Sequence, residues 1–209
     1  MKKIRLRVEL ETKTFFNLGM GGVIDSDVDI VFSRIFLGEK EYLSIPGSSI
    51  KGVLRKNAAS VAEYLGLKAC YGISPEDISR GVREGCDVCS LFGFPDGESR
   101  VYVRSVFLDL NTIILTRIRV DIKTGKVIEK ALFKEEVLPP MTRFSFELEF
   151  FPKNVKEEKL IMLSINELNY QKFGKAGSVE VKEVKILEGE LDLETVNMCE
   201  KIGLRVVKL

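Results

Sequence analysis

Ile45-Pro-Gly-Ser-Ser-Ile-Lys-Gly-Val-Leu-Arg-Lys56 packs a turn, a pair of hydroxyls and a cationic helix start into one short stretch. Pro46 fixes φ and ends the extended run before it, and Gly47 permits a close backbone approach. Ser48 or Ser49 is placed to accept hydrogen bonds from the first free amides of a helix. The apolar spacing of Ile50, Val53, Leu54 and Val61 predicts that helix, running to about Leu65. Lys51, Arg55 and Lys56 fall on or beside its other face. Bare amides, hydroxyls and nearby cations at a helix N-terminus make a phosphate site. The plainer alternative is an ordinary capped amphipathic helix with a solvated face.

Working outward, Ile4, Leu6, Val8 and Leu10 alternate with Arg5, Arg7 and Glu9, which predicts a half-buried strand before the helix. Gly19-Met-Gly-Gly22 reads as a flexible break, and Asp25, Asp27 and Asp29 follow it at a spacing of two. After the helix comes an insertion from about 66 to 97 that holds three of the four cysteines. Val101, Val103, Val106 and Leu108 predict a second strand region. Residues from about 115 to 138 read as a β-hairpin turning at Thr124-Gly125. Phe144, Phe146, Leu148 and Phe150 alternate with polar residues, the strongest strand pattern in the chain. A helix from Val155 to Leu168 and a last strand through Val179, Val181 and Val184 complete the series. The order approximates a single α+β domain over 1–209, with a ferredoxin-like βαββαβ core related to RNA-recognition folds. Residues after Leu191 carry no legible pattern.

Composition narrows the function. The chain has 209 residues, 45% of them hydrophobic, so it is not disordered. No apolar run approaches the roughly 20 residues a membrane helix needs, and the charged start carries no signal-peptide pattern. The expectation is a cytoplasmic protein. Net charge is only +1, so any nucleic-acid site must be a local basic patch. Histidine is absent, which removes imidazole as acid, base or metal ligand.

Four further features carry possible chemistry. If the segment is extended, Asp25, Asp27 and Asp29 share one face, and their oxygens suit Mg²⁺ or Mn²⁺; a solvated acidic loop is the alternative. Cys86-Asp-Val-Cys89, with Cys70 upstream, gives thiols at zinc-ligand spacing. A fourth ligand is not evident, with Cys199 or Asp87 eligible only if the fold brings either near. Reduced buried thiols and a disulfide are the alternatives. The hairpin carries Arg117, Arg119 and Lys123 among apolar residues, as an RNA-unstacking ribbon or a plain surface hairpin would. Gly174-Lys175-Ala-Gly177 reads either as a nest for phosphate or as a helix C-cap using Gly174.

Ile-Pro-Gly-Ser-Ser-Ile-Lys-Gly resembles the signature of the repeat-associated mysterious protein (RAMP) superfamily of CRISPR systems. The Asp25 loop, the cysteine insertion, the hairpin and the glycine loop resemble family features in the same order. The likeness is closest to backbone subunits of type III effector complexes, which polymerise along a guide RNA. It implies guide-RNA binding through Gly47, Ser48, Ser49, Lys51, Arg55, Arg117, Arg119, Lys123, Gly174, Lys175 and Gly177. It also implies Asp25 as the catalytic residue for metal-dependent cleavage of paired target RNA, with Mg²⁺ or Mn²⁺. Structural Zn²⁺ at Cys70, Cys86 and Cys89 and a thumb-like role for the hairpin follow from the same likeness. The implied partners are guide RNA, target RNA, copies of the same chain and other CRISPR effector subunits. Asp27 departs from the small or proline residue expected there. A non-catalytic subunit of the same complex, a repeat-processing endoribonuclease and a ferredoxin-like domain without RNA are the competing readings. The last two lose ground to the missing histidine and to the four ordered features, respectively.

Overall fold

Alternation writes the central sheet. β1 (Ile4–Thr12) buries Ile4, Leu6, Val8 and Leu10 on one face, and β10 (Arg143–Phe150) buries Phe144, Phe146, Leu148 and Phe150 on the same face. The two strands pair antiparallel, with Leu6 opposite Leu148 and Val8 opposite Phe146. These features come from a computed structural model that describes residues 2–21, 28–70, 76–78, 80, 85–174 and 177–208. β11 (Val179–Glu188) flanks β1 on its other side, antiparallel, and β6 (Val101–Val103) closes the opposite border against β10. A short β12 (Val206–Lys208) adds parallel to β11, giving the spatial order β12-β11-β1-β10-β6.

Two helices cover the buried face. α1 (Gly47–Val61) continues as a 3₁₀ turn through Leu65 and turns Ile50, Leu54, Ala58 and Val61 inward. α3 (Val155–Asn166) brings Leu160, Ile161 and Ile165 into the same core, at the helical spacing of its apolar residues. Asn57 joins the helices by donating from Nδ2 to the Ser164 carbonyl at 3.1 Å. Asn154 caps α3 by accepting from the Glu157 amide, and Arg100 holds the buried Glu157 carboxylate through two nitrogens. The result is an α+β fold with strands and helices in the chain order β1, α1, β6, β10, α3, β11.

The opposite face of this sheet is a lattice of ion pairs. Arg7 pairs with Glu147, Lys185 with Glu9 and Glu183, Arg205 with Glu183, and Arg143 and Lys182 with Glu11. Cations and anions alternate along neighbouring strands, so most find a cross-strand partner; Arg5 Nε is the buried exception, with no hydrogen-bond partner among the described residues. An RNA-recognition sheet presents stacking aromatics on this face; here the charges face one another.

Two smaller sheets stand apart from the central one. β2 (Gly19–Gly21), β3 (Ile30–Phe32), β9 (Val127–Val137) and β8 (Ile113–Val120) form one, in that order. β4 (Arg34–Leu37), β5 (Lys40–Ile45) and β7 (Val106–Leu108) form the other. Residues 19–21, expected to be a flexible break, are therefore a strand: Gly19 pairs with Phe32 and Gly21 with Ile30. The expected second strand region splits at Arg104-Ser105, with Val101–Val103 in the central sheet and Val106–Leu108 in the β5 sheet. The segment after Leu191 holds α4 (Leu193–Lys201), capped by Asp192, and then β12. Among the described residues no helix is long and apolar enough to cross a membrane.

Candidate nucleic-acid interface

The helix start is built differently from the sequence expectation. α1 begins at Gly47, its N-cap is Pro46, and no side chain caps it. The Ser49 amide donates to the Pro46 carbonyl at 3.0 Å, and the Gly47 amide donates to Ser105 Oγ at 3.1 Å. Ser48 and Ser49 are therefore first-turn residues, not caps. Gly47 is buried, and only a glycine fits there: a Cβ would lie 2.2 Å from the Val103 carbonyl oxygen. Its close approach is to β6 of its own fold.

Ser48, Lys51, Gly52 and Arg55 recur at helical spacing and line one wall of a groove of about 420 Å³. The opposite wall is the turn from Phe92 to Gly97, with Ser99. Ser49, half-buried, does not line it. Lys51 Nζ donates to Ser99 Oγ at 2.6 Å. Arg55 donates to the Gly93 carbonyl at 2.7 Å and to Cys89 Sγ at 2.9 Å. Among the described residues no carboxylate pairs with either cation. Burial, and then the charge of Arg55, push the Lys51 ammonium below its ordinary 10.5. Two neighbouring cations, with no carboxylate partner among the described residues, give the groove a positive potential that suits an anion. The turn residues Gly93, Phe94 and Ser99 escaped the sequence reading because they belong to no periodic pattern.

Behind Arg55 lies the cysteine cluster. α2 (Asp87–Phe92) starts at Cys86, whose Sγ accepts from the Cys89 amide at 3.3 Å and from the Cys70 amide at 3.2 Å. Cys70 Sγ lies 3.2 Å from Cys89 Sγ, and the three sulfur atoms all lie within 4.8 Å of one another. Burial, with hydrogen bonds from Cys70 and Cys86, pushes the Cys89 thiol up to about 12. Three converging soft donors, with backbone amides aimed at Cys86 Sγ, suit a zinc ion, which would hold all three as thiolates and tie the insertion to α2. Neither expected fourth ligand joins them: the Asp87 carboxylate accepts from the Lys68 amide at 2.8 Å, and Cys199 lies buried on α4.

β8 pairs antiparallel with β9, with a tip at Asp121–Lys126. Asp121 Oδ1 accepts from the Lys123 and Thr124 amides, and Gly125 supplies the positive φ of the turn. Lys123 is exposed at the tip beside Ile122, which is 99% exposed. Arg117 is not free: it pairs with the buried Glu135 across the strands. Arg119 lies on β8 between exposed Ile118 and Val120.

The glycine loop is a packing element in its described part. A Cβ at Gly174 would meet the Asn17 carbonyl at 2.5 Å, and one at Gly177 the Phe16 ring at 2.4 Å. Phe173 bridges to Gly177 and sits edge-on to Phe16, so Gly174 is not a helix C-cap. Lys175 lies outside the described residues, as do Asp25 and Asp27. Asp29, the third member of the acidic series, accepts from the Lys134 amide through Oδ2 at 2.7 Å and so fastens β3 to β9.

A model of the RAMP superfamily matches residues 9–177, which spans α1, the groove, the cysteine cluster and the hairpin. The chain belongs to the RAMP superfamily, and that membership points to a CRISPR-associated subunit of an RNA-containing complex. No match is found among curated proteins.

Proposed function

We propose that the chain is a guide-RNA-binding backbone subunit of a type III CRISPR ribonucleoprotein complex that cleaves paired target RNA. The observation that carries the reading is the groove with Ser48, Lys51 and Arg55 on one wall and no carboxylate partner for its cations among the described residues. Such a site takes a phosphate of any sequence, which is what holding a variable guide requires. The strand order β11-β1-β10-β6, with α1 and α3 on one face, supports a ferredoxin-like core as the platform.

Guide RNA would run past the start of α1, with the hairpin reaching towards the next copy of the chain in the assembly. Ile114, Ile118 and Leu132 supply exposed apolar surface there, and Lys123 charge at the tip. Asp25 would meet the target strand, positioning a 2′-hydroxyl or holding Mg²⁺ or Mn²⁺, since a carboxylate is a weak base for a hydroxyl. Attack of that oxygen on the adjacent phosphorus leaves a cyclic phosphate and a 5′-hydroxyl. Zn²⁺ at Cys70, Cys86 and Cys89 would be structural.

The test is guide loading in the assembled complex. Ser48→Glu places a negative charge where a helix N-terminus favours one, so the fold keeps its stability while a phosphate is repelled. Ser48→Glu combined with Lys51→Ala should strip the guide from the purified complex. Full retention of guide at moderate salt would sink the groove reading. Asp25→Ala should load guide normally and lose target cleavage; unchanged cleavage would leave a subunit that holds RNA without cutting it.

A further inference from the structure

We propose that the three-cysteine cluster sets the shape of the groove, with Arg55 as the positioning residue that links the two; this rests on the groove being a sugar–phosphate site. Arg55 stands on α1, in the cationic wall. One of its nitrogens donates to Cys89 Sγ and the other to the Gly93 carbonyl. Cys89 belongs to α2, and Gly93 ends that helix, its amide donating to the Cys89 carbonyl at 2.9 Å. A single planar fork therefore ties the helix of one wall to the root of the other. The Phe94–Gly97 turn follows directly, closed by reciprocal Phe94 and Gly97 backbone bonds.

α2 spans Asp87–Phe92, less than two turns, so its own hydrogen bonds hold it weakly. Buried Val88, Leu91 and Phe92 seat it on the core and Asp87 bonds Lys68, while the sulfur contacts fix its Cys86–Cys89 turn: two amides on Cys86 Sγ, Cys70 beside Cys89, and Arg55 on Cys89. Binding Zn²⁺ replaces three S–H bonds with three metal–sulfur bonds and releases three protons to solvent. The group then carries one net negative charge, and Arg55 becomes its charged hydrogen-bond donor. The guanidinium is held at the cluster, the Gly93 carbonyl with it, and the Phe94–Gly97 wall is fixed at the width a phosphate needs. Lys51 and Ser48 are left to meet the RNA.

The experiment measures binding of a short 5′-labelled oligouridylate to the purified chain under reducing conditions, with zinc and after chelation. Chelation should weaken binding about ten-fold, the loss of roughly one charge-assisted hydrogen bond, with an unchanged circular-dichroism spectrum. Arg55→Lys keeps the cation but cannot bridge two acceptors. It should retain zinc, bind as weakly as the chelated parent, and no longer respond to chelator. Lys51→Ala should lower affinity in both metal states while keeping the zinc response, which reports on the groove itself. If the reduced chain takes up no zinc, or binds the oligonucleotide equally well without it while Lys51→Ala still weakens binding, the link is wrong and the groove stands. If neither metal state binds the oligonucleotide, or Lys51→Ala changes nothing, the groove reading falls and the link with it.

Discussion

A methyl group at position 47 would sit 2.2 Å from a backbone oxygen of β6, and backbone cannot swing aside as a side chain can. Gly47→Ala should therefore cost about 1–3 kcal/mol, the usual range for overpacking, read as a lower urea midpoint at unchanged slope. Spacing made three groove residues legible at this scale: positions 48, 51 and 55 share a face of any α-helix. The same geometry excluded Ser49, because one residue along a helix turns the side chain by about 100°. Gly93, Phe94 and Ser99 were invisible, since they reach the groove from a turn some 40 residues away with no repeating pattern. Gly174 and Gly177 show the converse: a glycine pair that reads as a phosphate nest is, in its described residues, seated on Asn17 and Phe16.

The hairpin is the element most dependent on one side chain. The buried Glu136 at its root accepts from Arg34, from Thr112 and from the Phe32 amide, so it fastens β9 to β3 and β4. Burial alone would raise its carboxyl, but Arg34, Thr112 and the Phe32 amide outweigh it and hold the group below its ordinary 4.5. Its stabilisation is then complete above the unfolded value of 4.5 and is lost as pH falls through the lower folded value. Glu157, held down by Arg100 and the Lys153 amide against its own burial, has the same sign. Urea stability should fall with acidification from about pH 5 downward. Glu136→Gln should cost about 2–4 kcal/mol near neutrality and flatten that acid limb. An unchanged limb would mean that Glu136 does not carry it. The hairpin itself was legible from its alternation and the Thr124-Gly125 turn, whereas the capture of Arg117 by Glu135 was not, because cross-strand partners depend on register. β2, β3 and β12 span three residues each, too short for periodicity to register, and α4 buries only Thr195 and Cys199.

Over the whole molecule, net charge of +1 and the paired sheet face tell the same story. On that face most cations are already paired and are poorly placed to displace counterions from RNA. With Arg55 held at the cluster and Lys51 left to the strand, about one phosphate is neutralised in the groove, and the logarithm of oligonucleotide affinity should fall with the logarithm of salt at a slope of about −1. A slope near −4 would mean that the sheet face or hairpin also engages the strand. Arg7→Ala should leave both affinity and slope unchanged, since Arg7 already faces Glu147. The order of the main elements was readable because β1, α1, β10 and α3 each carry a full period of apolar residues. Their assembly into separate sheets was not, because Val101–Val103 and Val106–Leu108 look alike in sequence and part only at Arg104-Ser105.

Both borders of the central sheet, β12 and β6, are three-residue stubs. Each stub covers only three residues of the strand behind it, Leu148–Phe150 of β10 and Val184–Ile186 of β11, so the border is stepped and gives an incoming strand no long straight edge. In the assembly proposed above, copies of the chain would meet at these two borders through side chains and loops, like beads pressed together; the longer open edge is the eight-residue β8 of the hairpin. An array joined in that way should disassemble on dilution, where a cross-β fibre would persist.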